Sequence, residues 1–173
     1  NIKNHSNGRK VALVTGASSG IGQATAELLA KAGYTVYGTS RRGGAKAGRS
    51  FEMLSLDVTS EESVDVAVQT LIQREGRIDL LVNNAGCGVA PAGAEESSIA
   101  QAQAIFDTNF FGIVRMTRAV LPHMRARGAG QLPAATVDDS LPIGAEGERI
   151  AELVRRHQVV VVAEEDDLGQ SGQ

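Results

Sequence analysis

The stretch Lys10-Val11-Ala12-Leu13-Val14-Thr15-Gly16-Ala17-Ser18-Ser19-Gly20-Ile21-Gly22 decides the fold. Residues 10–15 read KVALVT, a short apolar run that fits a strand buried on both faces. The glycines that follow allow a tight turn, and Ile21 opens a helix. Ile21, Ala24, Leu28, Leu29 and Ala32 are expected on its buried face, with Gly33 as a left-handed cap. A glycine-rich turn between a strand and a helix suits a nucleotide phosphate, because free backbone N–H groups and the helix dipole both attract an anion. The same glycines also fit a turn required only for packing.

Further along, the strand and helix signals alternate. Residues 34–39 and 51–58 read as the second and third strands. Thr59-Ser60-Glu61-Glu62 has capping-box spacing, and Val64, Val68, Leu71 and Ile72 continue a helical stripe. Residues 77–83, RIDLLVN, read as a fourth strand, and a helical segment over about 97–127 follows, with a kink expected at Pro122. Strands separated by helices imply an α/β fold, a doubly wound parallel sheet of Rossmann type covered on both faces.

The 173 residues are 42% hydrophobic and 21% charged, which fits a globular domain rather than a disordered chain. A net charge of −3 offers no electrostatic case for nucleic acid. The longest aliphatic run, residues 159–163, is too short to cross a bilayer, and residues 1–10 lack the apolar core of a signal peptide. Cys87 is the single cysteine, so no intrachain disulfide can form. A cytoplasmic protein without a membrane partner is the expectation.

Charge divides the chain. Residues 1–127 carry 14 basic and 11 acidic side chains, whereas residues 128–173 carry three and nine, with no lysine or aromatic residue. The break falls at Gly128-Ala129-Gly130. Residues 1–127 therefore read as a dinucleotide-binding segment, and 128–173 as a divergent tail, truncated or rearranged, completing the same domain. Within the tail, residues 132–137 and 159–162 read as strands and 146–157 as a helix.

Residues 9–127 resemble the short-chain dehydrogenases/reductases. The family's TGxxxGxG motif is matched from Thr15 to Gly22, and its NNAG motif by Asn83-Asn84-Ala85-Gly86. Leu56-Asp57-Val58 resembles the adenine-contacting segment, and Asn109, in DTNFFG, falls on the asparagine of the family's catalytic tetrad. The resemblance implies hydride transfer between a nicotinamide cofactor and a small-molecule carbonyl or alcohol. It implies a phosphate cradle of Gly16, Ser18, Ser19, Gly20, Ile21 and Gly22, adenine contact at Asp57, and a ribose side lined by Asn83, Ala85 and Gly86. Asn109 would hold a water for proton relay. Asn83 has an alternative role in bridging strands, and Asp57 one in ending a strand.

Nicotinamide-binding domains selective for NAD place an acid about 20 residues past the glycines. Between Glu27 and Glu52 there is none; Ser40-Arg41-Arg42 follows the second strand, with Lys46 and Arg49 beyond. Arginine there can pair with a 2′-phosphate, so NADP(H) is preferred over NAD(H) and Arg41 is its reader. A solvated basic loop is the competing reading.

The family's proton-transfer pair is a tyrosine followed four residues later by a lysine. The tyrosines here are Tyr34 and Tyr37, the lysines Lys3, Lys10, Lys31 and Lys46, and none follows Asn109 in these 173 residues. The chain as it stands is therefore expected to be inactive as a reductase. One alternative is a non-enzymatic nucleotide-binding or dimerisation module, using the helix around 100–127 with Phe106, Phe110 and Phe111 to form a homo-oligomer. A second alternative comes from residues 135–172, which resemble the opening of the stationary-phase survival nucleotidases through Asp138-Asp139, the valine run and Gln170-Ser171-Gly172. That would make the tail a metal-dependent phosphatase, although no metal ligand set is assigned.

Overall fold

The computed structural model describes residues 8–43, 48–88, 98–127 and, as backbone, 159–161. Four strands and two helices come first: β1 Val11–Val14, α1 Gly20–Lys31, β2 Thr35–Ser40, β3 Glu52–Ser55, α2 Glu61–Glu75 and β4 Leu80–Asn83. The chain continues through α3 Ile99–Phe106, a π-helical turn at Asp107–Phe111, α4 Gly112–Ala126 and β5 Val159–Val161. The strands form one parallel sheet in the order β3-β2-β1-β4-β5. Strand order reverses between β1 and β4, and in such sheets ligands bind beyond the carboxyl ends of the strands at that reversal.

Alternation along β1 divides the core between the two faces of the sheet. Val11 and Leu13 join Tyr37, Leu71, Leu81, Met116 and Val120 beneath α2 and α4. Ala12 and Val14 join Ala26, Leu29, Val36, Phe51 and Val82 beneath α1. Every β1 residue is fully buried, which explains the unbroken apolar run in the sequence. Both faces are covered, as the sequence pattern requires.

Several local expectations are corrected. The buried face of α1 is Gly22, Thr25, Ala26 and Leu29, while Leu28 is 51% exposed. The helix lies against the sheet through the small residues Gly22, Thr25 and Ala26 together with Leu29, so Leu28 is turned outward. Ser60, rather than Thr59, caps α2 by accepting from Ser63 N; the Thr59 hydroxyl instead donates to Asp57. The segment expected as one helix is two: a Ser98–Gln101 capping box starts α3, and the π-helical turn separates it from α4. α4 continues through Pro122. Strands β3 and β4 are shorter than the apolar runs containing them, because pairing stops where the partner strand ends, as at Ser40 opposite Ser55.

Residues 159–161 pair in parallel with β4, with Asn83 opposite Val161. The expected strand at 132–137, the helix at 146–157 and Asp138-Asp139 lie outside the described residues.

Candidate functional site

The glycine-rich turn is tied to the strands on both sides of β1. Thr15 N donates to Val82 O at 2.9 Å, and Ala17 N to Thr39 O at 2.9 Å. The Thr15 hydroxyl oxygen accepts from Asn84 N and Ala85 N, both at 2.9 Å. Asn84 Nδ2 reaches Thr15 O at 3.1 Å and Gly16 O at 3.3 Å. The two glycine-containing motifs, about seventy residues apart in sequence, thus form one hydrogen-bonded unit at the reversal point of the sheet.

That unit has no room for side chains. Gly16 has φ +69°, and a Cβ there would stand 2.8 Å from Ala85 Cα. A Cβ on Gly22 would meet Asn84 Nδ2 at 2.3 Å. Gly20 adopts φ +55° as the helix begins. Ser19, the N-cap residue of α1, makes no side-chain capping bond, and the first turn holds no acid. Helix N–H groups at such an end are suited to phosphate oxygens. A bare backbone cradle at the start of a helix fits the pyrophosphate of a dinucleotide. Gly16, Ser18, Ser19, Gly20, Ile21 and Gly22 are the residues that would surround it.

Arg41 and Arg42 are exposed just past β2. Ser55 Oγ donates to Arg41 O at 3.2 Å, which ties this corner to the end of β3. Asp57 Oδ1 accepts from Thr59 N at 3.0 Å and from Thr59 Oγ1 at 2.7 Å. These bonds hold the Asp57 carboxyl below its usual range, and the charges of Arg41 and Arg115 act in the same direction. Asp57 stays ionised and therefore acts as an acceptor.

Asn83 and Asn84 divide their roles differently from the sequence reading. Asn84 links the strands through its side chain. Asn83 Nδ2 is buried with no hydrogen-bond partner among the described residues. Gly86 approaches Asn109, with a hypothetical Cβ 3.5 Å from Asn109 Oδ1. Asn109 sits in the π-helical turn and clamps Cys87 from both sides: Oδ1 accepts from Cys87 N at 2.9 Å and Nδ2 donates to Cys87 O at 3.0 Å. Arg115 fixes that turn from below by donating to Asp107 Oδ1 at 2.7 Å and to Val58 O at 3.3 Å.

Tyr37, by contrast, is committed elsewhere. Its hydroxyl donates to Glu75 Oε1 at 2.6 Å in the core beneath α2. Burial raises its pKa well above the usual tyrosine value, and the Glu75 hydrogen bond and charge add to the effect. Tyr34 is half-buried just before β2.

Sequence reading quoted Thr15, Asn84 and Arg49 without foreseeing the contacts that they make, and did not single out Arg115. Thr15 and Asn84 carried a signal in lying next to the glycines. Arg115 carried none beyond its helical spacing from Asp107. Arg49 Nη2 donates to Ser18 O at 2.7 Å, although the two residues lie on separate segments. Among the described residues, no group of three or more His, Cys, Asp and Glu side chains could hold a metal, and no helix there is long and apolar enough to cross a membrane.

Residues 10–133 match the family model for short chain dehydrogenase. The chain is 44% identical over 123 residues to a 3-ketodihydrosphingosine reductase of Bacteroides thetaiotaomicron, covering 71% of this chain and 45% of that protein. It is 40% identical over 127 residues to a probable NADP-dependent dehydrogenase of Haemophilus influenzae, covering 70% and 50%. The chain therefore spans about half the length of the curated relatives it matches. A solved short-chain dehydrogenase from Streptomyces avermitilis superposes with a TM-score of 0.65 at 36% identity, covering 91% of this chain and 64% of that one. None of these matches is to the nucleotidase suggested by the tail. The stitched glycine turn, the parallel strand order and the family match agree: the chain belongs to the short-chain dehydrogenase family and has its Rossmann-type parallel sheet.

Proposed function

We propose that this chain is the dinucleotide-binding part of a short-chain dehydrogenase and takes NADP(H) in preference to NAD(H). One observation carries the reading. Gly16 and Gly22 leave bare backbone where a side chain would collide, at a helix start with no side-chain cap. The cofactor, when bound, supplies the hydride exchanged with a small-molecule carbonyl or alcohol. The chain's own residues bind and orient it: the turn residues hold the pyrophosphate, Asp57 accepts from the adenine amino group, and Asn83, Ala85 and Gly86 border the ribose. Arg41 reads the 2′-phosphate. The Haemophilus relative described as NADP-dependent supports that preference.

Asn109 is the tetrad residue in this reading. With Oδ1 and Nδ2 both on Cys87, it holds the loop after β4 in shape, and its remaining lone pair and proton would hold a water. No tyrosine or lysine follows Asn109 in these 173 residues, so the proton-transfer step lacks its usual donor. Residues 1–127 and 128–173 form one domain in this reading, joined where β5 pairs with β4. The protein is read as cytoplasmic.

A second reading concerns assembly. Phe106, Phe110 and Phe111 are 61%, 55% and 49% exposed on α3 and the π-helical turn, and Val114 of α4 is 38% exposed. An apolar surface of this kind favours a homo-oligomer through the helices within 100–127.

The test is titration of the 173-residue chain with NADPH and NADH, followed by cofactor fluorescence. NADPH should bind more tightly, and Arg41→Ala should narrow the gap by about 1–3 kcal/mol, the range for charge-assisted hydrogen bonds. Equal affinities in the wild type would remove the NADP(H) preference.

A further inference from the structure

Arg49 stands at the seam between the phosphate turn and the end of β2. Its Nη2 lies 2.7 Å from Ser18 O and 3.4 Å from Gln23 Oε1. Ser18 follows Ala17, whose N–H donates to Thr39 O near the end of strand β2, just before Ser40 and Arg41. The guanidinium carbon is 5.4 Å from the centroid of the Phe51 ring, so the cation lies over an aromatic face. That ring is itself held in place: a Cβ on Gly38 would meet Phe51 at 2.6 Å and Ala17 Cβ at 2.7 Å. The arginine therefore rests on a fixed platform with one nitrogen anchored.

Its charge is not neutralised by that anchoring. Ser18 O and Gln23 Oε1 are neutral acceptors. The acids nearest in the network are engaged elsewhere, since Glu27 accepts from Gln23 and Glu52 pairs with Arg74. Among the described residues, Arg49 forms no ion pair. Both of its anchoring contacts use Nη2, which leaves the Nη1 side of a planar, five-donor fork for an anion. In this fold the adenosine ribose lies where the turn meets the end of the second strand.

We propose that Arg49 is a second specificity-determining cation, sharing with Arg41 the 2′-phosphate on the adenosine ribose. This rests on the dinucleotide reading above and adds a residue to it. Neutral acceptors orient the guanidinium without satisfying its charge, and a dianionic phosphate supplies what they lack. A purely positioning role, in which Arg49 only steadies the Ser18 peptide, makes a different forecast, because both cofactors need that peptide equally.

The experiment compares NADPH, NADH and the fragment 2′,5′-ADP binding to the 173-residue chain, as wild type, Arg49→Ala and Arg49→Lys. Arg49→Ala should weaken NADPH and 2′,5′-ADP by about tenfold, as expected for loss of a charge-assisted contact, and leave NADH within about twofold. Unchanged NADH binding also reports an intact fold. If Arg49→Ala does not fold, Arg49→Lys carries the comparison: it keeps the charge, loses the fork and should cost NADPH about threefold with NADH unchanged. Equal losses for NADPH and NADH, or no loss of NADPH, overturn the proposal. A wild-type preference for NADPH that vanishes in Arg41→Ala but survives in both Arg49 variants overturns this inference alone. Absence of dinucleotide binding in the wild type overturns both.

Discussion

The Asn84 amide occupies the space a side chain at Gly22 would need: a Cβ there would stand 2.3 Å from Asn84 Nδ2 and 2.5 Å from Gly16 O. Asn84 cannot retreat without giving up its bonds to Thr15 O and Gly16 O. Packing and turn shape therefore depend on one missing methyl group. Gly22→Ala should lower stability by about 1–3 kcal/mol, the usual cost of overpacking, and weaken NADPH more than tenfold. Thermal melts and titration of the same sample check both effects.

Tyr37 and Glu75 form a buried pair whose loss has a definite pH signature. Glu75 Oε2 already lacks a partner among the described residues, so Tyr37→Phe leaves both carboxyl oxygens without one. The expected cost is about 1–3 kcal/mol, measured by denaturant unfolding. Native Tyr37 keeps its proton above the ordinary value of 10.0, because burial and Glu75 both raise its pKa. The unfolded chain releases that proton first, so stability falls as pH rises above about 10. Tyr37→Phe should flatten that alkaline limb, and an unchanged limb would contradict the assignment.

Asp79 governs the acid side. Burial pushes its carboxyl up, but hydrogen bonds from Arg77 and Val11 N outweigh this and leave it below the usual value. Val11 N donates to Asp79 Oδ2 at 2.7 Å, and Arg77 Nε reaches the same oxygen at 2.6 Å. A depressed native pKa gives stability that is present above the unfolded value of 3.8 and lost as pH falls through the native one. Asp79→Asn should cost about 1–3 kcal/mol near neutrality and make the acid limb shallower, read by urea melts across pH 2–6.

Catalysis is the sharpest functional forecast. The 173-residue chain should show no appreciable carbonyl reduction with NADPH, because proton delivery to the developing oxyanion lacks a positioned donor. That loss alone costs about 10²–10⁴-fold. Asn109 is an amide with no proton to donate at useful pKa, and Tyr37 is bound to Glu75 in the core beneath α2. Robust absorbance loss over a carbonyl panel, abolished by Asn109→Ala, would show that the chain supplies a proton donor of its own.

Much of this was legible in the sequence, for physical reasons. β1 has no polar residue to disguise its burial, and the Thr15–Gly22 turn needs glycine at fixed places. The parallel α/β arrangement followed from those features. The inner face of α1 did not, because hydrophobicity pointed to Leu28, whereas close approach to the sheet selects Gly22 and Ala26. The break at Asp107–Phe111 was invisible for a related reason: a π-helical turn leaves helical composition intact. Asn84 and Asn83 are identical in sequence, and only the geometry past the end of β4 separates their roles. Arg49 reaches Ser18 across a loop that has no periodicity to reveal the contact.

The most direct test of the whole reading is equilibrium titration of the purified 173-residue chain with NADPH at low ionic strength. Saturable binding at a single site is expected, competed by 2′,5′-ADP and weakened by salt as an arginine–phosphate contact requires. No saturable binding up to millimolar NADPH would contradict it.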